Sequence, residues 1–173
     1  MSENAGYDVV VVGGGAAGCV VAARLSEDRA RRVLLLEAGP DHRALMPADV
    51  RDGWRPTTGH DWGYVAEPDA AGVARPLPRG KLLGGCSSTL RIRRHAWTYH
   101  HPVGTCAMGP AAGSGSVVDA DGTVHGIDGL SVADASVMPD IPSANTHIPT
   151  VMIAERIAAL LGESGRRAAR RGP

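Results

Sequence analysis

Gly13-Gly14-Gly15-Ala16-Ala17-Gly18 stands between a run of mostly β-branched residues, Tyr7 to Val12, and a segment in which Ala17, Val20, Val21 and Leu25 recur at helical spacing. No other stretch constrains the fold as tightly. A continuous apolar run ending in glycines predicts a strand covered on both faces. Ser26, Glu27 and Asp28 close the helix expected over residues 16–26. Val33 to Glu37 predicts a second buried strand. Strand, glycine turn, helix and strand within about thirty residues make a βαβ unit, with parallel strands and a right-handed crossover. The expected fold class is α/β.

The glycines match G-x-G-x-x-G in the context that motif requires, leaving a strand and opening a helix. Gly13 permits the tight turn, Gly15 lets backbone approach a pyrophosphate, and Gly18 lets the helix pack against the strand. A pyrophosphate at the helix N-terminus meets unpaired N–H groups and the positive end of the dipole. Glu37 ends the second strand, nineteen residues after Gly18, where an acid binds the adenosine ribose hydroxyls. The same physics holds the ADP half of either NAD or FAD. A short-chain NAD dehydrogenase needs a Tyr-x-x-x-Lys pair, but Lys81 is the only lysine and Leu77 stands where the tyrosine would be.

A chain of 173 residues is long enough for one domain with a real core and too short for two substantial ones. Eighteen basic and eighteen acidic residues cancel, so nothing recommends a nucleic acid or an anionic membrane as partner, and a small neutral ligand is expected. The N-terminus has no basic stretch followed by a long apolar one, and no window approaches the ~20 apolar residues of a membrane span. A soluble, cytoplasmic protein is the expectation. Cys19, Cys86 and Cys106 are odd in number and in no C-x-x-C pattern, which argues for reduced, mostly buried thiols rather than disulfides or a zinc site.

Residues 38–80 carry six prolines and no sustained period, with brief extended pieces such as Trp62 to Glu67. So long an irregular stretch is uncommon within a compact domain. Val117–Asp119 and Thr123–His125 flank Ala120-Asp121-Gly122 as a β-hairpin, and Leu130 to Ala133 predicts a further buried strand. Val151, Ile153, Ala154, Ile157, Ala158 and Leu161 predict a helix over 150–161, with Pro149 in its first turn. The basic tail 163–173 is expected to be disordered.

Leu36-Glu37-Ala38-Gly39-Pro40 and the run Pro78-Arg79-Gly80-Lys81-Leu82-Leu83-Gly84-Gly85-Cys86-Ser87-Ser88 resemble the first signature of the glucose-methanol-choline (GMC) oxidoreductases. His101-Pro102-Val103-Gly104-Thr105-Cys106, Leu130 through Ser136 and Pro142 through Thr150 resemble that family's carboxyl-terminal portion. Cys86 replaces the family's usual small residue. Thr89 and Leu90 stand where an aliphatic residue and an asparagine are expected, and the family's central region is missing between Leu90 and Arg91.

The resemblance implies a single FAD-binding domain, 1–162, assembled from blocks 1–90 and 91–162. It implies a small Rossmann-like parallel sheet in which the Leu130–Ala133 strand joins the first two, flanked by the helices at 16–26 and 150–161. It further implies FAD contacts from Gly13, Gly15, Ala16, Ala17, Gly18, Glu37, Ala38, Arg79, Gly84, Gly85, Ser87, Ser88, Asp134, Ala135, Asn145, Pro149 and Thr150. His101 is then the base that takes the proton of a small-molecule alcohol as hydride leaves for the flavin, and His147 the group that holds the oxygen. His100 competes with His101 for that role. The alternative is a non-catalytic FAD- or ADP-binding module, or an inactive deletion remnant.

Overall fold

The computed structural model describes residues 6–52, 59–89, 101–111 and 115–170. The junction at Leu90–Arg91 and the competing His100 lie outside them. The chain groups into two compact units. The first comprises Met1–Val12, Ala17–Leu35 and His101–Pro173, and the second Gly13–Ala16 and Leu36–His100.

In the first unit, β1 (Val9–Val12) and β2 (Val33–Leu36) form a parallel two-stranded sheet. The crossover between them is α1 (Ala16–Leu25). Ala17, Val21 and Leu25, spaced four apart, share one face of α1 and are all buried. They meet Val11 of β1 and Ala154 and Ala158 of α4 (His147–Arg170) in one apolar cluster. Burying side chains such as Val21 and Leu25 contributes about 1.5–3 kcal/mol each. The alanines let α4 come close, since the distance between packed helices follows side-chain size. Arg24 of α1 clasps Glu155 of α4 through Nε–Oε2 at 2.7 Å and Nη2–Oε1 at 3.0 Å.

Three expectations are corrected here. The run Val9–Val12 is covered on one face only: Val11 is buried, but Val10 is 51% and Val12 81% exposed. Alternation wins because helices reach only one side of a sheet of two strands. The Leu130–Ala133 segment does not join that sheet. It folds back on the 117–125 hairpin instead, with Ser131 bridging Thr123 antiparallel and Val132 N–H donating to Gly122 O at 2.8 Å. Only Ala133 reaches the apolar cluster. Third, α4 begins at His147 rather than Thr150 and runs through Gly162 to Arg170, so the expected tail is helical that far. Gly162 and Gly165 each cost a helix interior only about 1 kcal/mol, and the alanines and arginines beyond them favour helix.

The expected hairpin forms as isolated bridges. Val118 pairs antiparallel with Val124 and parallel with Met108, and Val118 is fully buried. Gly122 turns this hairpin at φ +80, where an added Cβ would meet Val132 O at 2.7 Å and Ile157 Cδ1 at 2.6 Å.

The second unit gives the proline-rich stretch an order its periodicity hides. It contains α2 (Ala48–Asp52), the antiparallel pair β3 (Tyr64–Val65) and β4 (Pro76–Leu77), and α3 (Cys86–Thr89). Val50 and Leu82 supply its fully buried side chains. Between the strands Asp69 Oδ1 accepts from Ala71 N–H and Val73 N–H and stitches the turn. Trp62 and Tyr64 stack at 5.8 Å, and Lys81 Nζ lies 4.8 Å from the Trp62 ring centroid, a cation–π contact.

Two outcomes follow. Gly122→Ala adds a clash to a left-handed strain and lowers stability by about 2–4 kcal/mol. Gly129→Ala, at φ +75 with open space around its Cβ, costs about 1–2 kcal/mol; urea midpoints of the two variants check the order. Arg24 holds the Glu155 carboxyl below the ordinary carboxylate range, chiefly by their hydrogen bonds. The clasp is therefore complete above the unfolded glutamate pKa and is lost as pH falls through the lower folded value. Thermal melts between roughly pH 2 and 6 are expected to show a small acid-side loss that Glu155→Gln abolishes.

Candidate functional site

The glycine turn of the second unit is built on one carboxylate. Glu37 Oε2 accepts from Gly14 N–H at 2.7 Å and Oε1 from Gly39 N–H at 2.8 Å. Gly13, at φ +94, donates to Leu36 O at 2.8 Å, and Gly14 O accepts from Gly84 N–H at 2.7 Å. The second glycine run thus lies directly on the first. Gly14 is closely packed, since a Cβ there would meet Leu83 Cδ1 at 2.7 Å, whereas Gly13 and Gly15 face open space. A Cβ on Gly85 would approach Gly15 Cα to 3.0 Å.

Open room over Gly15, beside the start of α1, is what a group requiring close backbone approach needs. Gly14, which the motif leaves unspecified, meets steric contact, and Glu37 holds the turn together. Each carboxylate oxygen retains a lone pair beyond its glycine bond.

Other residues of this unit expected to contact the cofactor make hydrogen bonds within the chain. Arg79 Nη1 donates to Pro78 O at 2.6 Å, and Arg79 N–H donates to Asp61 Oδ2 at 2.7 Å. Ser88 Oγ donates to Leu83 O at 3.2 Å, and a Cβ on Gly84 would collide with that hydroxyl. Gly80 N–H donates to Cys86 Sγ at 3.3 Å, so the cysteine at the family's small-residue position serves as an acceptor. Ala38 and Ser87 are exposed. All three cysteines are half-buried and outside any disulfide, and no cluster that could hold a metal occurs among the described residues.

In the first unit Ala17 is buried in the core and Gly18 is half-buried in α1. The histidine motifs of this unit come together. His101 is half-buried, and its Nδ1 lies 2.7 Å from Thr146 Oγ1, next in sequence to His147. Thr146 is 7% exposed and is the buried polar residue of the described core. Its carbonyl accepts from Thr150 N–H at 2.9 Å and Thr150 Oγ1 at 2.7 Å. Asn145 Oδ1 caps His147 N–H at 3.0 Å. His147 itself is exposed, and Pro149 and Thr150 are half-buried.

The segment after His101 zips onto the turn that follows Asp134. Cys106 N–H donates to Ser136 O and Met108 N–H to Val137 O, both at 2.9 Å. Asp134, exposed, caps the short 3₁₀ turn Ala135–Val137 by accepting from Ser136 N–H at 2.8 Å and Ser136 Oγ at 2.5 Å. Thr146 was missed by sequence reasoning. Its signal was available in a threonine one residue before a helix whose third position is proline.

A family model described as GMC oxidoreductase matches residues 20–154. Oxygen-dependent choline dehydrogenase 1 of Chromohalobacter salexigens is 52% identical over 67 residues, covering 39% of this chain and 12% of the relative. Choline oxidase of Arthrobacter globiformis is 48% identical over 85 residues, covering 47% and 16%. The crystal structure of pyridoxine 4-oxidase from Mesorbium loti aligns at 43% identity and a TM-score of 0.41, covering 49% of this chain and 17% of that one. The chain spans about a sixth or less of the length of the curated relatives it matches.

Glu37→Ala removes two charge-assisted bonds from the glycine turn and is expected to cost about 2 kcal/mol or more. Amide exchange at Gly14 and Gly39 is expected to accelerate before that of the first unit's helices; equal acceleration everywhere would contradict the local role.

Proposed function

The chain belongs to the GMC oxidoreductase family, and from that membership we propose that it carries the cofactor-binding turn and the proton-handling residues of an FAD-dependent oxidoreductase acting on the CH–OH group of a small alcohol. Bound FAD supplies a hydride acceptor. Gly15 and Ala16 offer backbone N–H groups to the pyrophosphate, and the room over Gly15 admits it. Glu37 receives the ribose hydroxyls on the lone pairs its glycine bonds leave. Gly84, Gly85 and the Ser87–Ser88 pair line the turn from the second glycine run.

The observation that carries the catalytic reading is the 2.7 Å bond from His101 to Thr146. It brings the two histidine-bearing motifs into contact within one unit. Of two imidazoles so placed, one takes the alcohol proton and the other holds the oxygen as the carbinol becomes a carbonyl. Asn145 supports this by fixing the backbone at His147. Asp134 and Ala135 contribute the capped turn onto which the His101 segment is laced. No helix of the described residues is long and apolar enough to cross a membrane.

A second reading has its own support: a chain spanning so small a share of its relatives' length is also suited to be a flavin- or ADP-binding module without turnover. The full chain, purified and loaded with FAD, separates the two. Anaerobic bleaching of the flavin by a panel of primary and secondary alcohols is expected, slowed about 10²–10⁴-fold in His101→Ala with flavin still bound. Flavin bound but never bleached favours the module, and soluble folded protein that takes up no FAD in calorimetry defeats both.

A further inference from the structure

We propose that Thr146 is a positioning residue that holds neutral His101 in the tautomer carrying its proton on Nε2, an inference that rests on reading His101 and His147 as the proton-handling pair. Thr146 immediately precedes α4, where the side-chain oxygen ordinarily accepts from the backbone N–H of the second or third helical residue. The third here is Pro149, which has no N–H. The first amide, that of His147, is already met by Asn145 Oδ1. The Thr146 carbonyl is used twice by Thr150. With the third-residue amide absent, Thr146 Oγ1 turns to His101, whose Nδ1 lies at 2.7 Å as its partner.

The direction of that bond follows from burial. A hydroxyl has one hydrogen and two lone pairs. In a side chain only 7% exposed, a hydrogen without an acceptor costs more than a lone pair left unfilled. Thr146 Oγ1–H therefore donates to Nδ1, Nδ1 is unprotonated, and the neutral ring carries its hydrogen on Nε2. His101 is then a donor suited to hold the alcohol oxygen, and accepting the proton falls to His147. This reverses the division of labour that the sequence resemblance implied.

Long-range proton–nitrogen correlation spectra of the full chain test this without any cofactor, at about pH 8 where an ordinary imidazole is neutral. The His101 signals are assigned by their loss in His101→Gln. The expected spectrum shows a protonated Nε2 and an unprotonated Nδ1, retained in Thr146→Ser and converted to a mixture of tautomers in Thr146→Val. A protonated Nδ1 in the unaltered protein overturns the proposal without recourse to any variant, and so does an unchanged tautomer in folded Thr146→Val. Alcohol bleaching of the flavin is read separately: an Nε2–H tautomer in a protein that never bleaches upholds the tautomer and sinks the enzymatic reading.

Discussion

The carboxylate of Glu37 is the constraint on which the second unit depends. Bound to the amides of Gly14 and Gly39, it fixes two stretches of backbone that are then crossed by a third. Gly39 lies so close to the Lys81 and Leu82 backbone that a Cβ would collide with it, and Gly80 meets Gly85 in the same way. Here glycine is selected by contact rather than by dihedral angle. The same crossings close Gly14 while leaving Gly13 and Gly15 open.

The first unit rests on a different principle. Its cluster is aliphatic and small: valines, alanines and a leucine from β1, α1 and α4. Phenylalanine is absent from the whole chain, so close approach of helices through alanine replaces the area an aromatic ring would bury. The Arg24–Glu155 clasp runs between the two helices at the rim of that cluster, where it fixes orientation more than it adds stability. On this frame α4 presents Thr146 and His147 at its N-terminal end.

Local chemistry was legible in the sequence, and pairing over distance was not. The glycine turn, α1, both strands of the parallel sheet and the body of α4 could be read because each is specified within ten residues or so by period, caps or β-branching. The destination of Leu130–Ala133 could not be, since a mostly apolar tetrapeptide fits a parallel sheet and a hairpin edge equally well. One-sided burial of β1 was hidden for a related reason: periodicity reports what a strand tolerates, not how many layers cover it. Glu37 was found by spacing, yet its bonds to glycine amides became visible only in three dimensions. Thr146 was legible in principle, because Pro149 deprives it of a capping partner, but its use by His101 depends on a contact forty-five residues distant.

The uncovered side of the small parallel sheet bears on how the molecule behaves in concentrated solution. Val10, Val12 and Leu36 show greasy surface there, and among the described residues neither strand is paired along its outer edge. Basic and acidic residues cancel in number, so near neutrality no long-range repulsion keeps copies from meeting along those valines. Moving the solvent away from neutrality charges the whole surface at once and so keeps these exposed side chains of both strands from meeting their copies.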